Sequence, residues 1–80
     1  MLERLIQNWS QYCKEDNFVG IGSTRKVYKV SDYVIKVHLH PIGCKQSLNE
    51  LEIYTSMNKK GLDVLLARTY YVDDYISIQK

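Results

Sequence analysis

Three groups of residues in this chain have the types and spacing to do chemistry. The first is Gly20-Ile21-Gly22-Ser23, a glycine pair just ahead of Arg25-Lys26-Val27-Tyr28. Glycine has no Cβ, so the backbone of such a turn can come close to an anion and aim N–H groups at it. The second is Lys36, a cation with apolar residues on both sides in Val34-Ile35-Lys36-Val37, together with the downstream carboxylates Glu50 and Glu52. The third is His38, His40 and Cys44, with Cys13 as a remote fourth, all side chains that can ligate a transition metal.

Each group also has a plain structural explanation. Gly20 and Gly22 can be the turn glycines of a β-hairpin. A strand lysine is often solvated and guards against edge pairing, although the apolar neighbours of Lys36 favour burial of its stem. His38 and His40 share one face of a strand, but zinc sites show tighter paired spacings than these residues offer, so no metal ligand is assigned. Ser47 and Glu50 are three residues apart and fit a capping box at a helix start, which gives Glu50 a purely local role.

The elements that must hold these residues follow from hydrophobic spacing. Leu2, Leu5, Ile6, Trp9, Tyr12 and Cys13 recur at steps of three and four, which predicts an amphipathic helix over residues 2 to 14. After a turn at Asp16-Asn17, the stretch Phe18 to Val30 predicts two strands joined by the glycine turn, and Ser31-Asp32 is the next turn. Tyr33 to Leu39 predicts a third strand, antiparallel to the second and ended by Pro41 and Gly43. Leu48, Leu51, Tyr54 and Met57 restore helical spacing from Ser47 onward, with Gly61 as the stop. Leu65 to Val72 and Tyr75 to Ile78 predict two last strands around Asp73-Asp74. The fold expected is α+β: a five-stranded, mostly antiparallel sheet with one packed helix, plus an N-terminal amphipathic helix that packs on it. Residues 1–17 form the N-terminal helix and turn, and residues 18–80 form the domain proper.

Gly20 to Tyr28 resembles the glycine-rich loop of protein kinases, whose pattern is G-x-G-x-x-G-x-V between two strands. Arg25 stands where that pattern has its third glycine. Val34-Ile35-Lys36 arrives one strand later, where the family has its V-A-I-K lysine, and the helix bearing Glu50 is similar to the one whose glutamate pairs with that lysine. Positions 50 and 52 point about 200° apart on a helix, so one of them at most faces Lys36; the family spacing selects Glu50. The resemblance, to the small ATP-binding lobe of the kinase-like superfamily, runs from about residue 18 to residue 80. It implies that Gly20, Ile21, Gly22, Ser23, Lys36 and Glu50 form the phosphate-facing site, and that Val27 and Val34 cap the adenine ring. Ile78-Gln79-Lys80 resembles the strand that leads to the hinge, with Gln79 near the gatekeeper position.

The same comparison implies a limit. The sequence holds no H-R-D-x-x-x-x-N and no D-F-G, so the catalytic carboxylate and the metal-binding Asn and Asp have no counterpart in it. The chain alone is expected to be inactive as a phosphotransferase, with ATP bound weakly or not at all by the lone lobe and Mg only alongside a second lobe. The alternative is a freestanding, non-catalytic relative that starts at Met1, stops on the strand before the hinge, and docks on a large lobe or on itself through the exposed lobe interface.

Bulk properties set the outer bounds. Eighty residues hold one small domain, and 45% apolar with 25% charged residues is ordinary globular composition. A net charge of +2, with basic runs no longer than Arg25-Lys26 and Lys59-Lys60, is too little for a nucleic-acid partner. No apolar run approaches the roughly 20 residues of a membrane span. Two cysteines without a signal-like N-terminus point to a reduced, cytoplasmic chain.

Overall fold

The computed structural model describes residues 1–61 and 68–80. Helix α1 (Leu2–Tyr12) is followed by a short 3-10 turn (Glu15–Asn17) and three strands: β1 (Phe18–Ile21), β2 (Arg25–Val30) and β3 (Tyr33–His38). Helix α2 (Pro41–Lys59) then leads to β4 (Thr69–Val72) and β5 (Ile76–Gln79). The five strands form one sheet in the order β1-β2-β3-β5-β4, and every neighbouring pair is antiparallel. The architecture is the expected α+β one. Residues 65–67 of the predicted fourth strand lie outside the described residues.

Tight turns make the meander. Ser31 takes a left-handed conformation, φ 55°, as the first residue of the two-residue link between Val30 and Tyr33. At the β4–β5 turn the Asp73 carboxylate accepts from the backbone N–H of Tyr75 at 2.7 Å and of Ile76 at 2.8 Å, and from the Tyr71 hydroxyl at 2.8 Å. One short side chain thereby replaces the backbone pairing that the reversal gives up.

The pleat divides the sheet chemically. Residues directly opposite in an antiparallel pair share a face. Arg25 and Val27 stand opposite His38 and Lys36, and Val34 and Lys36 stand opposite Gln79 and Ser77, so these residues line one side. The other side carries Tyr28 opposite Ile35 and Ile35 opposite Ile78. Helix α1 covers this apolar side. Leu5 is fully buried with Tyr28, Ile35, Ile76 and Ile78, while Leu2, Ile6, Trp9, Tyr12 and Cys13 pack around that cluster. The N-terminal helix thus belongs to the same core as the sheet. Burying each such aliphatic side chain is worth about 1.5–3 kcal/mol, so the apolar side carries most of the burial energy.

Helix α2 lies on the polar side and begins earlier than its hydrophobic spacing suggests. It starts at Pro41 rather than at Ser47. Proline is preorganised for the first helical position because its missing N–H would have no helical partner there, and His40 caps the helix by accepting the Ile42 N–H on Nδ1 at 3.2 Å. The capping box read from Ser47 and Glu50 is therefore incorrect. Ser47 is buried in the helix, and Pro41 and Gly43 open the helix instead of merely ending β3. Gly43 has its own reason to be glycine. A Cβ there would run into the Thr24 carbonyl oxygen and sit 3.0 Å from the Arg25 Cγ, so helix and hairpin meet backbone to backbone. At its far end the helix stops against Gly61, which has φ +74°.

Candidate functional site

The glycine hairpin is the link between β1 and β2. It is closed by the Gly22 N–H, which donates to the Arg25 carbonyl at 2.8 Å. Ile21 is 64% exposed, and Gly22 and Ser23 are also exposed. Neither glycine is demanded by the fold. A Cβ at Gly20 would meet nothing within 4 Å, a Cβ at Gly22 would only touch the Arg25 carbonyl at 3.8 Å, and neither residue has positive φ. A Cβ at either position would fit without displacing a neighbouring atom.

Beneath the hairpin, β3 and α2 bring together the ammonium and the carboxylate that sequence spacing singled out. Lys36 Nζ donates to Glu50 Oε2 at 3.2 Å. Glu52, two residues on, is exposed and lines a separate groove with Leu48 and Thr55. Val27 is directly opposite Lys36, and Val34 is two residues before it, so both half-buried valines lie on the same face as the lysine. Gln79 stands opposite Val34 and is buried, with its amide donating to the Thr69 hydroxyl at 3.1 Å.

The site contains three residues that sequence spacing alone did not bring into it. Arg25 donates through Nη1 to Glu50 Oε1 and, at 3.4 Å, to the Ser47 hydroxyl. The Ser47 hydroxyl also pairs with His38 Nε2 at 2.7 Å, and the other His38 ring nitrogen lies 3.3 Å from the Asp74 carbonyl. A signal for them existed. Period-two spacing sets Arg25 on the face of Val27, and His38 on the face of Lys36. Ser47 lies one helical turn before Glu50, on the same side.

Electrostatics favours an ionised Glu50. Burial alone raises its pKa, but hydrogen bonds from Arg25 and Lys36, together with their charges, reverse that and hold the carboxyl below its ordinary value. At neutral pH the cluster is two cations around one carboxylate.

An open slot adjoins this cluster. It has a volume of about 310 Å³ and is lined by the hairpin residues Gly22 to Arg25, with Val27, Lys36 and Gln46. Thr24 ties the hairpin tip to α2 by donating its hydroxyl to Gln46 Oε1 at 2.7 Å, and Leu39 N–H donates to the Thr24 carbonyl at 2.8 Å. A larger cavity of about 480 Å³ lies between the β3–α2 junction and Asp74 and includes His38, His40 and Cys44. Its histidines and its cysteine are committed elsewhere: both His38 nitrogens have partners, His40 caps α2, and the Cys44 thiol donates to the Asp73 carbonyl at 3.5 Å. Among the described residues no three His, Cys, Asp or Glu side chains are grouped to hold a metal ion. The smaller slot, with its unbalanced charge, is the better candidate.

Comparison with protein-family models, curated proteins and solved structures finds no match. Among the described residues no helix is long and apolar enough to cross a membrane.

Proposed function

We propose that this chain is the nucleotide-facing small lobe of a kinase-like phosphotransferase. In it, Gly20, Ile21, Gly22 and Ser23 cover the phosphates of ATP, Lys36 contacts them, Glu50 orients Lys36, and Val27 and Val34 flank the adenine. The observation that carries this is the 3.2 Å contact of Lys36 with Glu50 beneath a hairpin whose two glycines the fold does not require. A lysine held by a carboxylate keeps two ammonium hydrogens to offer, and a bare hairpin backbone lets a phosphate approach.

The chain would not transfer a phosphoryl group by itself. That reaction needs a carboxylate to accept the hydroxyl proton and side chains to hold magnesium, and the sequence contains neither signature motif. Mg would enter only with a second lobe that supplies those groups. The test is a titration of the ¹⁵N-labelled chain with Mg-ATP. Amide shifts are expected at Gly22, Ser23 and Lys36 and are lost in Lys36→Met; unmoved signals at these residues in excess nucleotide would reject the proposal.

Exposed apolar side chains support a second role. Leu48 is 50% and Ile53 43% exposed on α2, and Val19 and Ile21 are 61% and 64% exposed at the hairpin. As a non-catalytic interaction module, the chain would use such residues against a large lobe or a second copy. Silent ATP titration together with concentration-dependent sedimentation would favour this role over nucleotide binding.

A further inference from the structure

The charge count at the slot is uneven. The Arg25 and Lys36 side chains are 21% and 18% exposed, and they share one carboxylate, Glu50, that is 33% exposed. Removing a charge from water is costly unless it is paired, so two largely covered cations with one anion leave a deficit of negative charge. Donors remain for a ligand. Arg25 spends only Nη1, on Glu50 and Ser47, and Lys36 spends one bond on Glu50; among the described residues, Arg25 Nε and Nη2 meet no protein acceptor and stay open to solvent. Both side chains line the slot, together with the Ser23 and Thr24 hairpin tip.

We propose that Arg25 is a second phosphate-contacting cation, and that the slot it shares with Lys36 binds a phosphoanhydride polyanion directly, without help from a nucleoside. This deepens the phosphate assignment of the slot and rests on it. Arginine suits the task because its planar fork can hold Glu50 with one edge and present the other to a phosphoryl oxygen. Lysine approaches the same anion from the β3 side as a point charge. Glu50 stays neutralised by either cation while the other turns to the ligand, so the wall need not open for the anion to enter.

Inorganic pyrophosphate is the probe. The ¹⁵N-labelled full chain is titrated with pyrophosphate, with sulfate at matched ionic strength, and separately with ATP, in the wild type and in Arg25→Gln, Arg25→Lys and Lys36→Gln. Pyrophosphate is expected to shift the Arg25 Nε–H signal and the amides of residues 22 to 24, and sulfate to leave them in place. Arg25→Gln should weaken pyrophosphate about tenfold or more, the loss expected for one charge-assisted hydrogen bond, with Arg25→Lys intermediate. Undiminished pyrophosphate affinity in Arg25→Gln overturns the proposal and leaves Arg25 as an anchor for Glu50. So does a still Arg25 Nε–H signal while Lys36 responds, or an equal response to sulfate. The wild-type Nε–H signal decides the matter alone if Arg25→Gln does not fold. Pyrophosphate binding through Arg25 without any ATP binding sustains the anion slot and rejects the nucleotide role; ATP binding indifferent to Arg25 does the reverse; no response to either anion rejects both.

Discussion

The two faces of the sheet are built on opposite principles. On the α1 side, Leu5, Tyr28, Ile35, Ile76 and Ile78 form a buried apolar cluster that needs no partner beyond itself. On the α2 side, Arg25, Lys36, His38, Ser47 and Glu50 form a chain of hydrogen bonds and ion pairs between sheet and helix. Apolar packing is worth a few kcal/mol per side chain, whereas partly exposed ion pairs give roughly 0–1 kcal/mol each. Stability is therefore concentrated on one face, which frees the other to hold charges that the fold itself does not need. That division is what one expects when a small domain must keep a polar site and still stay folded.

The sharpest way to break the contrast is to damage each face in turn. Leu5→Ala removes a fully buried side chain from the apolar side and should cost about 2–5 kcal/mol, read as a lowered urea midpoint. In a domain this small, such a loss approaches the whole margin of stability. Gly43→Ala is the matching insult on the polar side. Its methyl would meet the Thr24 carbonyl, a backbone atom already engaged by Leu39 N–H, so the hairpin has to lift off the helix at a cost of about 1–3 kcal/mol. The signature beyond lost stability is faster amide exchange at residues 22 to 25, which Leu5→Ala would not produce selectively. Equal exchange profiles in the two variants would mean that the faces are not independent.

A gentler probe uses pH. The Glu50 carboxyl sits below its ordinary pKa in the folded chain, because its hydrogen bonds and the charges of Arg25 and Lys36 outweigh burial. A depressed folded pKa contributes stability that is complete above the unfolded value, about 4.3, and is lost as pH falls from there through the folded value. The wild type should accordingly lose this contribution on acidification below about pH 5. Glu50→Gln should be less stable by about 1 kcal/mol at neutral pH and show a flatter acid dependence, since it has no carboxylate to protonate. Matching acid profiles for wild type and variant would remove Glu50 from the account of the polar face.

Much of this organisation is legible in the sequence, for reasons that differ between the faces. Spacing of three and four in α1, and alternation through β2 and β3, read correctly because an apolar face must repeat with the geometry of its element. The juxtaposition of Lys36 with Glu50 was reachable through resemblance and helical angle. The start of α2 was not, because His40 lies outside the usual Ser, Thr, Asp and Asn caps and Pro41 reads equally well as a strand breaker or a first helical residue. Gly43 was also opaque: its constraint comes from Thr24, nineteen positions away, and close backbone approach leaves no local pattern. Arg25 was legible as a departure from a glycine pattern, while its partner was visible only once the helix was docked.

The polar face should also contain a place where polarity serves no local purpose, and Ser77 is that place. It is fully buried opposite Lys36, and among the described residues its hydroxyl has no hydrogen-bond partner. A buried hydroxyl that has given up water without a replacement bond is a cost, so Ser77→Ala should raise stability by about 1 kcal/mol. The same truncation at Ser47, whose hydroxyl joins Arg25 to His38, should lower it by a similar amount, because two polar partners are then left short. Opposite signs for two buried serines on one face, measured as urea midpoints, would separate polar groups that support the site from one that is merely tolerated there. If both substitutions destabilise, then Ser77 has an acceptor or donor after all, and the polar face is more fully satisfied than the apolar one requires.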